Sequence, residues 1–112
     1  MNSDTQVVPG AGAGIGATAT LVRTDDVNGV MRLITGVGTS PDSPVLSLTY
    51  SSPFEQIPYA IIISPANSVA AKNFNNIFVP LSSVTQAGFD VNSGGSALPE
   101  GAEFDIYYSA GF

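Results

Sequence analysis

The stretch Val45-Leu46-Ser47-Leu48-Thr49-Tyr50 alternates large apolar side chains with small polar ones. Successive side chains of a β-strand point to opposite faces, so Leu46, Leu48 and Tyr50 share one face and the hydroxyl side chains occupy the other. A proline lies on each side of the stretch and limits its length. We therefore predict a β-strand over these residues, with one face directed toward a core.

The same kind of pattern recurs along the chain at a spacing of about ten residues, which is typical of a β-sandwich. Further strands are predicted at Ala17–Arg23, Val30–Val37, Tyr59–Ser64, Ile77–Leu81, Gly88–Asn92 and Phe104–Tyr108. Asn28-Gly29 predicts a hairpin turn over residues 25–29, and Pro80 favours an edge position for its strand. The near-continuous apolar run Tyr59–Ser64 predicts a strand that is buried on both faces.

These patterns predict an all-β fold, an antiparallel β-sandwich of jelly-roll-like form with about seven short strands. Only Ser68–Ala71 could form a helical turn. Residues 1–9 are polar and are expected to be a flexible N-terminal arm or the stub of a linker. Residues 10–112 are expected to form a single sandwich domain.

Composition excludes several functional classes. The chain has no Cys and no His, and its three Lys and Arg residues stand against nine Asp and Glu, which gives a net charge of −6. Thiolate metal sites are excluded, and the usual general base is missing. Three cations are too few to neutralise a nucleic-acid backbone or to bind an anionic membrane surface. We expect no nucleic-acid partner, no membrane insertion and no metal.

Catalysis and cofactor binding are also disfavoured. The stretch Gly12–Ala17 matches a dinucleotide-binding pattern, but a strand follows it where that site needs a helix, so we expect no cofactor and close backbone approach instead. No nucleophile motif surrounds any serine. Glu103 and Asp105 share one face of a strand opposite Phe104, Ile106 and Tyr108, which is typical of a solvated face. We expect that the protein is not an enzyme.

One loop combines an aromatic ring with several amides. Amide dipoles suit sugar hydroxyls, and an aromatic ring can stack on a sugar. The candidate ligand-binding residues are Asn67, Lys72, Asn73, Phe74, Asn75 and Asn76, together with Tyr107, whose parity differs from that of the core aromatics. The alternative is that Phe74 folds inward as a plug and the Asn side chains satisfy turn backbone.

Several segments, taken in their order and spacing, resemble a known family. They are Gly10–Gly14 running into Ala17–Leu21, Asn28-Gly29 with Leu33–Gly36, Leu46–Tyr50, Ile57–Ile61 with Ser64–Asn67, Gly88-Phe89, and Phe104–Tyr108. This pattern is similar to the C-terminal β-domain at the tips of phage tail fibres, tailspikes and related adhesins.

The resemblance implies a homotrimeric knob in a bacteriophage virion that ends a fibre and attaches to a host-surface receptor. The receptor is expected to be a carbohydrate, or else a protein, and no catalytic set accompanies the family. Localisation would be the virion, at a tail-fibre tip or on the capsid surface, after assembly in the host cytoplasm. The alternative function is a structural virion protein that decorates a capsid, or caps or trimerises a fibre, in contact with other virion proteins.

Overall fold

The alternating segments form eight strands and one short helix. The computed structural model describes residues 5–23 and 27–112. The strands are β1 (Gln6–Pro9), β2 (Thr18–Arg23), β3 (Asn28–Ile34), β4 (Pro44–Thr49), β5 (Ala60–Pro65), β6 (Ile77–Phe78), β7 (Gly88–Ser93) and β8 (Glu103–Gly111), and the helix is α1 (Ser68–Asn73). Turns of 3-10 helix lie at Ala11–Ala13, Phe74–Asn76 and Leu81–Ser83.

The strands form two four-stranded sheets, ordered β1-β4-β7-β6 and β2-β3-β8-β5, in which every pairing is antiparallel. The predicted all-β sandwich is confirmed, with eight strands instead of about seven. β2 and β3 are consecutive in the chain, whereas β8 inserts between β3 and β5 and pairs with both. The centre of the second sheet is therefore built from distant parts of the sequence.

Strand parity places the core where the alternation predicts it. Leu46 and Leu48 of β4, together with the following Tyr50, are buried. On β8, Phe104 and Tyr108 are buried on the same face. Burial of such side chains, at about 25 cal/mol per Å² of apolar area, is the main force that holds the two sheets together.

The expected N-terminal arm is partly a strand. β1 pairs with β4 through Gln6 opposite Thr49 and Val7 opposite Leu48, so Gln6–Pro9 form the edge of the first sheet. Pro9 ends this strand, at an edge where a residue without an N–H is tolerated. The expectation of an arm is thus corrected for these residues, and residues 1–4 lie outside the described residues.

The prediction that the Tyr59–Ser64 strand is buried on both faces is wrong. β5 is an edge strand, and its side chains alternate between half-buried and exposed. Ile61 and Ile63 pack against the core, whereas Ile62 is 62% exposed and Tyr59 is 89% exposed. The prediction from the apolar run failed because the exposed Ile62 occupies a position where alternation would normally place a polar residue.

The glycine-rich segment before β2 brings two backbones together. A Cβ at Gly10 would collide with the carbonyl oxygen of Pro44. Gly14 has a φ of +92°, a conformation that side-chain-bearing residues rarely adopt, and a Cβ there would lie 2.8 Å from the Val37 oxygen. The expected close approach of backbones is confirmed.

The remaining short elements follow their local sequence signals. The helical turn predicted at Ser68–Ala71 is confirmed and extends to Asn73. The strand predicted at Ile77–Leu81 is shorter than expected: β6 ends at Phe78, so Pro80 lies outside it, although β6 does form a sheet edge. Of the predicted hairpin turn, Asn28 and Gly29 begin β3, whereas Asp25 and Asp26 lie outside the described residues. No helix in the described parts of the chain has the length and apolarity needed to cross a membrane.

Candidate functional site

The amide-rich loop predicted as a ligand site uses its amides to hold its own backbone. The Asn67 side chain caps α1 by accepting a hydrogen bond from the Ala70 N–H at 2.9 Å, and it donates to the Glu103 carbonyl at 3.0 Å. Asn73 donates to the Val69 carbonyl at 2.9 Å. These partners are what a helix cap and a helix end require.

Asn76 behaves in the same way at the far end of the loop. It donates to the Ser96 carbonyl at 2.6 Å and accepts from the Ser96 N–H at 3.3 Å, which ties the loop to the turn after β7. Phe74 is half-buried and packs against the core cluster. Only Lys72 and Asn75 are exposed among the loop's candidate residues from 72 to 76. The contacts therefore favour the alternative in which Phe74 is a plug and the amides satisfy backbone.

The seventh candidate, Tyr107, lies elsewhere. It projects from β8 onto the outer face of the second sheet, between Val30 of β3 and Ser64 of β5, and is 51% exposed. A shallow pocket of ≈ 140 Å³ opens beside it. The pocket is lined by Val22, Arg23, Val30, Arg32, Ala66, Asp105 and Tyr107.

An ion pair forms the polar wall of this pocket. Arg32 on β3 and Asp105 on β8 lie directly opposite each other, and the guanidinium donates to both carboxylate oxygens, from Nε at 2.7 Å and from an Nη at 3.2 Å. Glu103 lies 3.5 Å from Arg32 Nε on the same face. The hydrogen bond and charge of Asp105, followed by the charge of Glu103, raise the pKa of Arg32, so its guanidinium stays charged in any ordinary buffer.

This pair is partly shielded from water. The Asp105 side chain is 15% exposed and that of Arg32 is 39% exposed. Both groups keep hydrogen-bonding capacity for a ligand, because a carboxylate oxygen accepts more than one bond and a guanidinium has further N–H donors. The Ala66 N–H donates to the Asp105 backbone carbonyl at 2.8 Å, which fixes the strand beneath the pocket.

A β-bulge brings a second arginine to the same face. Strict alternation along β2 would place Arg23 on the inner face with Leu21, but the register shifts between these residues. Leu21 pairs with Met31 and Arg23 pairs with Val30, so Val22 is the extra residue. Since Val30 lies on the outer face with Arg32, the bulge turns Arg23 outward to the pocket.

The arrangement suits a small ligand that is apolar on one side and rich in hydroxyls. Val22, Val30, Ala66 and the Tyr107 ring supply apolar surface, and Arg23, Arg32 and Asp105 supply donors and acceptors. The pocket is smaller than the roughly 300–1,000 Å³ of most drug-sized sites, so it fits one sugar unit better than a large cofactor. No group of three or more acidic side chains among residues 5–23 and 27–112 could hold a metal ion.

Of the residues that line this pocket, sequence reasoning proposed Tyr107 as a candidate and did not single out Arg23 or Arg32. It placed Asp105 on a solvated face opposite the core residues; the side chain lies on that outer face, but it is only 15% exposed and is paired with Arg32. The sequence did contain one signal for Arg23. Alternation along its predicted strand would direct Arg23 toward the core, where burying an unpaired arginine is costly. A β-bulge that turns the side chain outward removes this cost.

Comparisons with known proteins assign no role to this pocket. The chain matches no family model, no curated protein and no solved structure.

Proposed function

We propose that this protein is a non-catalytic attachment domain that binds a carbohydrate in the pocket beside Tyr107. One observation carries the proposal: an exposed tyrosine ring lies beside a preformed Arg32–Asp105 pair in a concave patch of a rigid sheet. Aromatic rings provide a flat apolar surface for the faces of sugars. Fixed polar groups on strands bind with little loss of conformational entropy.

The chemistry of the pocket supports binding over catalysis. Asp105 is held by Arg32 through both oxygens, which suits a fixed hydrogen-bond acceptor more than a proton donor. The chain contains no His and no Cys. Glu103 and Asp105 both lie against the same guanidinium. They therefore do not flank a substrate from two sides, as a pair of catalytic carboxylates does.

The biological setting follows from the resemblance to phage tail-fibre tips. On that basis the domain is a homotrimeric virion adhesin tip that attaches the particle to a host-surface glycan. The antiparallel sandwich is compatible with such a tip domain and places the pocket on a broad sheet face that a large polysaccharide can reach. The host receptor would then be recognised through a single sugar unit.

A second function is kept because of exposed apolar side chains at one end of the sandwich. Ile15 and Val37 bridge to each other and are both exposed. Exposed apolar clusters mark contacts with other proteins. They favour the alternative of a structural virion protein that decorates a capsid or caps a fibre, and they also suit contacts between copies within a trimer.

A glycan array tests the proposal. The wild-type chain should bind a subset of surface glycans, and Tyr107→Ala should weaken that binding about fivefold, as loss of about 1 kcal/mol of aromatic contact predicts. Tyr107→Phe should retain most of it. Tyr59→Ala is the matched control, since Tyr59 is more exposed than Tyr107, precedes β5 and does not line the pocket.

Two results would reject glycan binding at this pocket. One is equal loss of binding in the Tyr107→Ala and Tyr59→Ala proteins, which would place the ligand elsewhere. The other is the absence of array binding together with saturable binding to purified phage particles, which would favour the structural function.

A further inference from the structure

The positive charge of this chain is concentrated at the pocket. The sequence has three Lys and Arg residues against nine Asp and Glu. Two of those cations, Arg23 and Arg32, line the pocket, whereas Lys72 lies on α1. In a protein with a net charge of −6, two arginines beside one pocket are a marked local concentration of positive charge.

The two arginines differ in how their charge is compensated. Arg32 is bonded to Asp105 and lies beside Glu103, so its charge is offset within the sheet. Arg23 is exposed and forms no ion pair with any acidic side chain in residues 5–23 and 27–112. Arg23 is therefore the pocket arginine with no acidic partner among the described residues, and its guanidinium can bind an anionic group of a ligand.

The β-bulge gives this arrangement a structural cause. Under strict alternation along β2, Arg23 would share the inner face with Leu21, where an arginine cannot be solvated. With the bulge, Arg23 and Arg32 lie on adjacent strands of one face. Bulges recur beside functional sites because they re-aim a side chain in this way.

We infer that the pocket selects a sugar unit bearing a carboxylate, with Arg23 binding the carboxylate and Tyr107, Arg32 and Asp105 binding the ring and its hydroxyls. This inference rests on the proposed carbohydrate function and adds the class of sugar. A guanidinium binds a carboxylate through two parallel hydrogen bonds, which adds geometric selectivity to the charge attraction. Neutral sugars would use the same pocket without the Arg23 contact.

Paired ligands test the inference on the full chain. The probes are the methyl glycosides of glucuronic, galacturonic and N-acetylneuraminic acid, and the methyl glycosides of glucose and galactose as neutral counterparts. Titration calorimetry at neutral pH and low salt should give at least one acidic glycoside that binds about tenfold or more tightly than the neutral sugars. Arg23→Gln should remove this preference, so that acidic and neutral glycosides bind with similar affinity.

Lys72→Gln is the matched control, because it makes the same change in net charge at a site away from the pocket. It should leave the acidic preference intact. Should Arg23→Gln impair folding, as judged by thermal unfolding, Arg23→Lys replaces it. That variant keeps the charge and loses the forked geometry, so it should keep only part of the preference.

The outcomes separate this inference from the function on which it rests. Equal affinities for acidic and neutral glycosides, or equal losses in Arg23→Gln and Lys72→Gln, would overturn the role of Arg23. If neutral sugars still bind in a Tyr107-dependent way, the carbohydrate function stands. If no glycoside binds at all, both the sugar class and the carbohydrate function are refuted.

Discussion

Asn67 and Asn75 lie on one amide-rich segment, and the structure predicts opposite consequences for their replacement. Asn67→Ala removes the N-cap of α1 and the hydrogen bond to the Glu103 carbonyl. A lost cap costs about 1 kcal/mol, and a partly exposed hydrogen bond adds up to about 1 kcal/mol. The free energy of unfolding should therefore fall by about 1–2 kcal/mol.

Thermal and urea unfolding followed by circular dichroism measure this loss. For 112 residues, 1 kcal/mol corresponds to a shift of about 4 °C in Tm, so Asn67→Ala should melt about 4–8 °C below the wild type. Asn67→Ser should recover most of the cap, because serine caps helices as asparagine does, and lose only the second bond.

Asn75→Ala is the control, since Asn75 is exposed and such surface changes stay within about 0.5 kcal/mol. Similar Tm values for the Asn67→Ala and Asn75→Ala proteins would refute the structural role of Asn67. A loss of glycan binding in Asn75→Ala without loss of stability would return the ligand site to this loop.

Three further outcomes are expected. Phe104→Ala, at a fully buried position, should cost about 3–5 kcal/mol in the free energy of unfolding, and a loss below 1 kcal/mol would contradict the core assignment. Gly14→Ala should cost about 1–3 kcal/mol because of its positive φ, whereas Gly95→Ala, with open space around it, should be close to neutral; equal Tm shifts would contradict the backbone argument. Light scattering should give about three times the chain mass of 11.4 kDa, and a monodisperse monomer would refute the homotrimer.

The sandwich was predictable because its central strands alternate cleanly. Leu46, Leu48 and Tyr50 on one strand and Phe104 and Tyr108 on another place their core faces without any structural information. The prediction failed where tertiary position overrides local pattern. The prediction of an arm treated residues 1–9 as one polar stretch, yet Gln6–Pro9 pair with β4 and Val7 packs against the core.

The candidate site was harder to predict because it depends on register. Arg32 and Asp105 are distant in sequence, and their pairing requires β8 to lie beside β3 in one particular alignment. Arg23 reaches the same face only through a bulge, which strict alternation does not show. By contrast, Asn73 and Phe74 are neighbours in sequence, and their nearness there suggested a site that the fold uses for capping and packing.

Chemical-shift mapping tests the central claim, that a sugar binds on the outer face of the second sheet. The ¹⁵N-labelled chain would be titrated with the acidic and neutral methyl glycosides, and backbone amide shifts followed to saturation. Saturable shifts centred on Arg32, Asp105 and Tyr107, with none at Asn75 and Asn76, are the predicted result. Shifts centred on the loop from Lys72 to Asn76, or no saturable shift with any of the glycosides, would contradict the account.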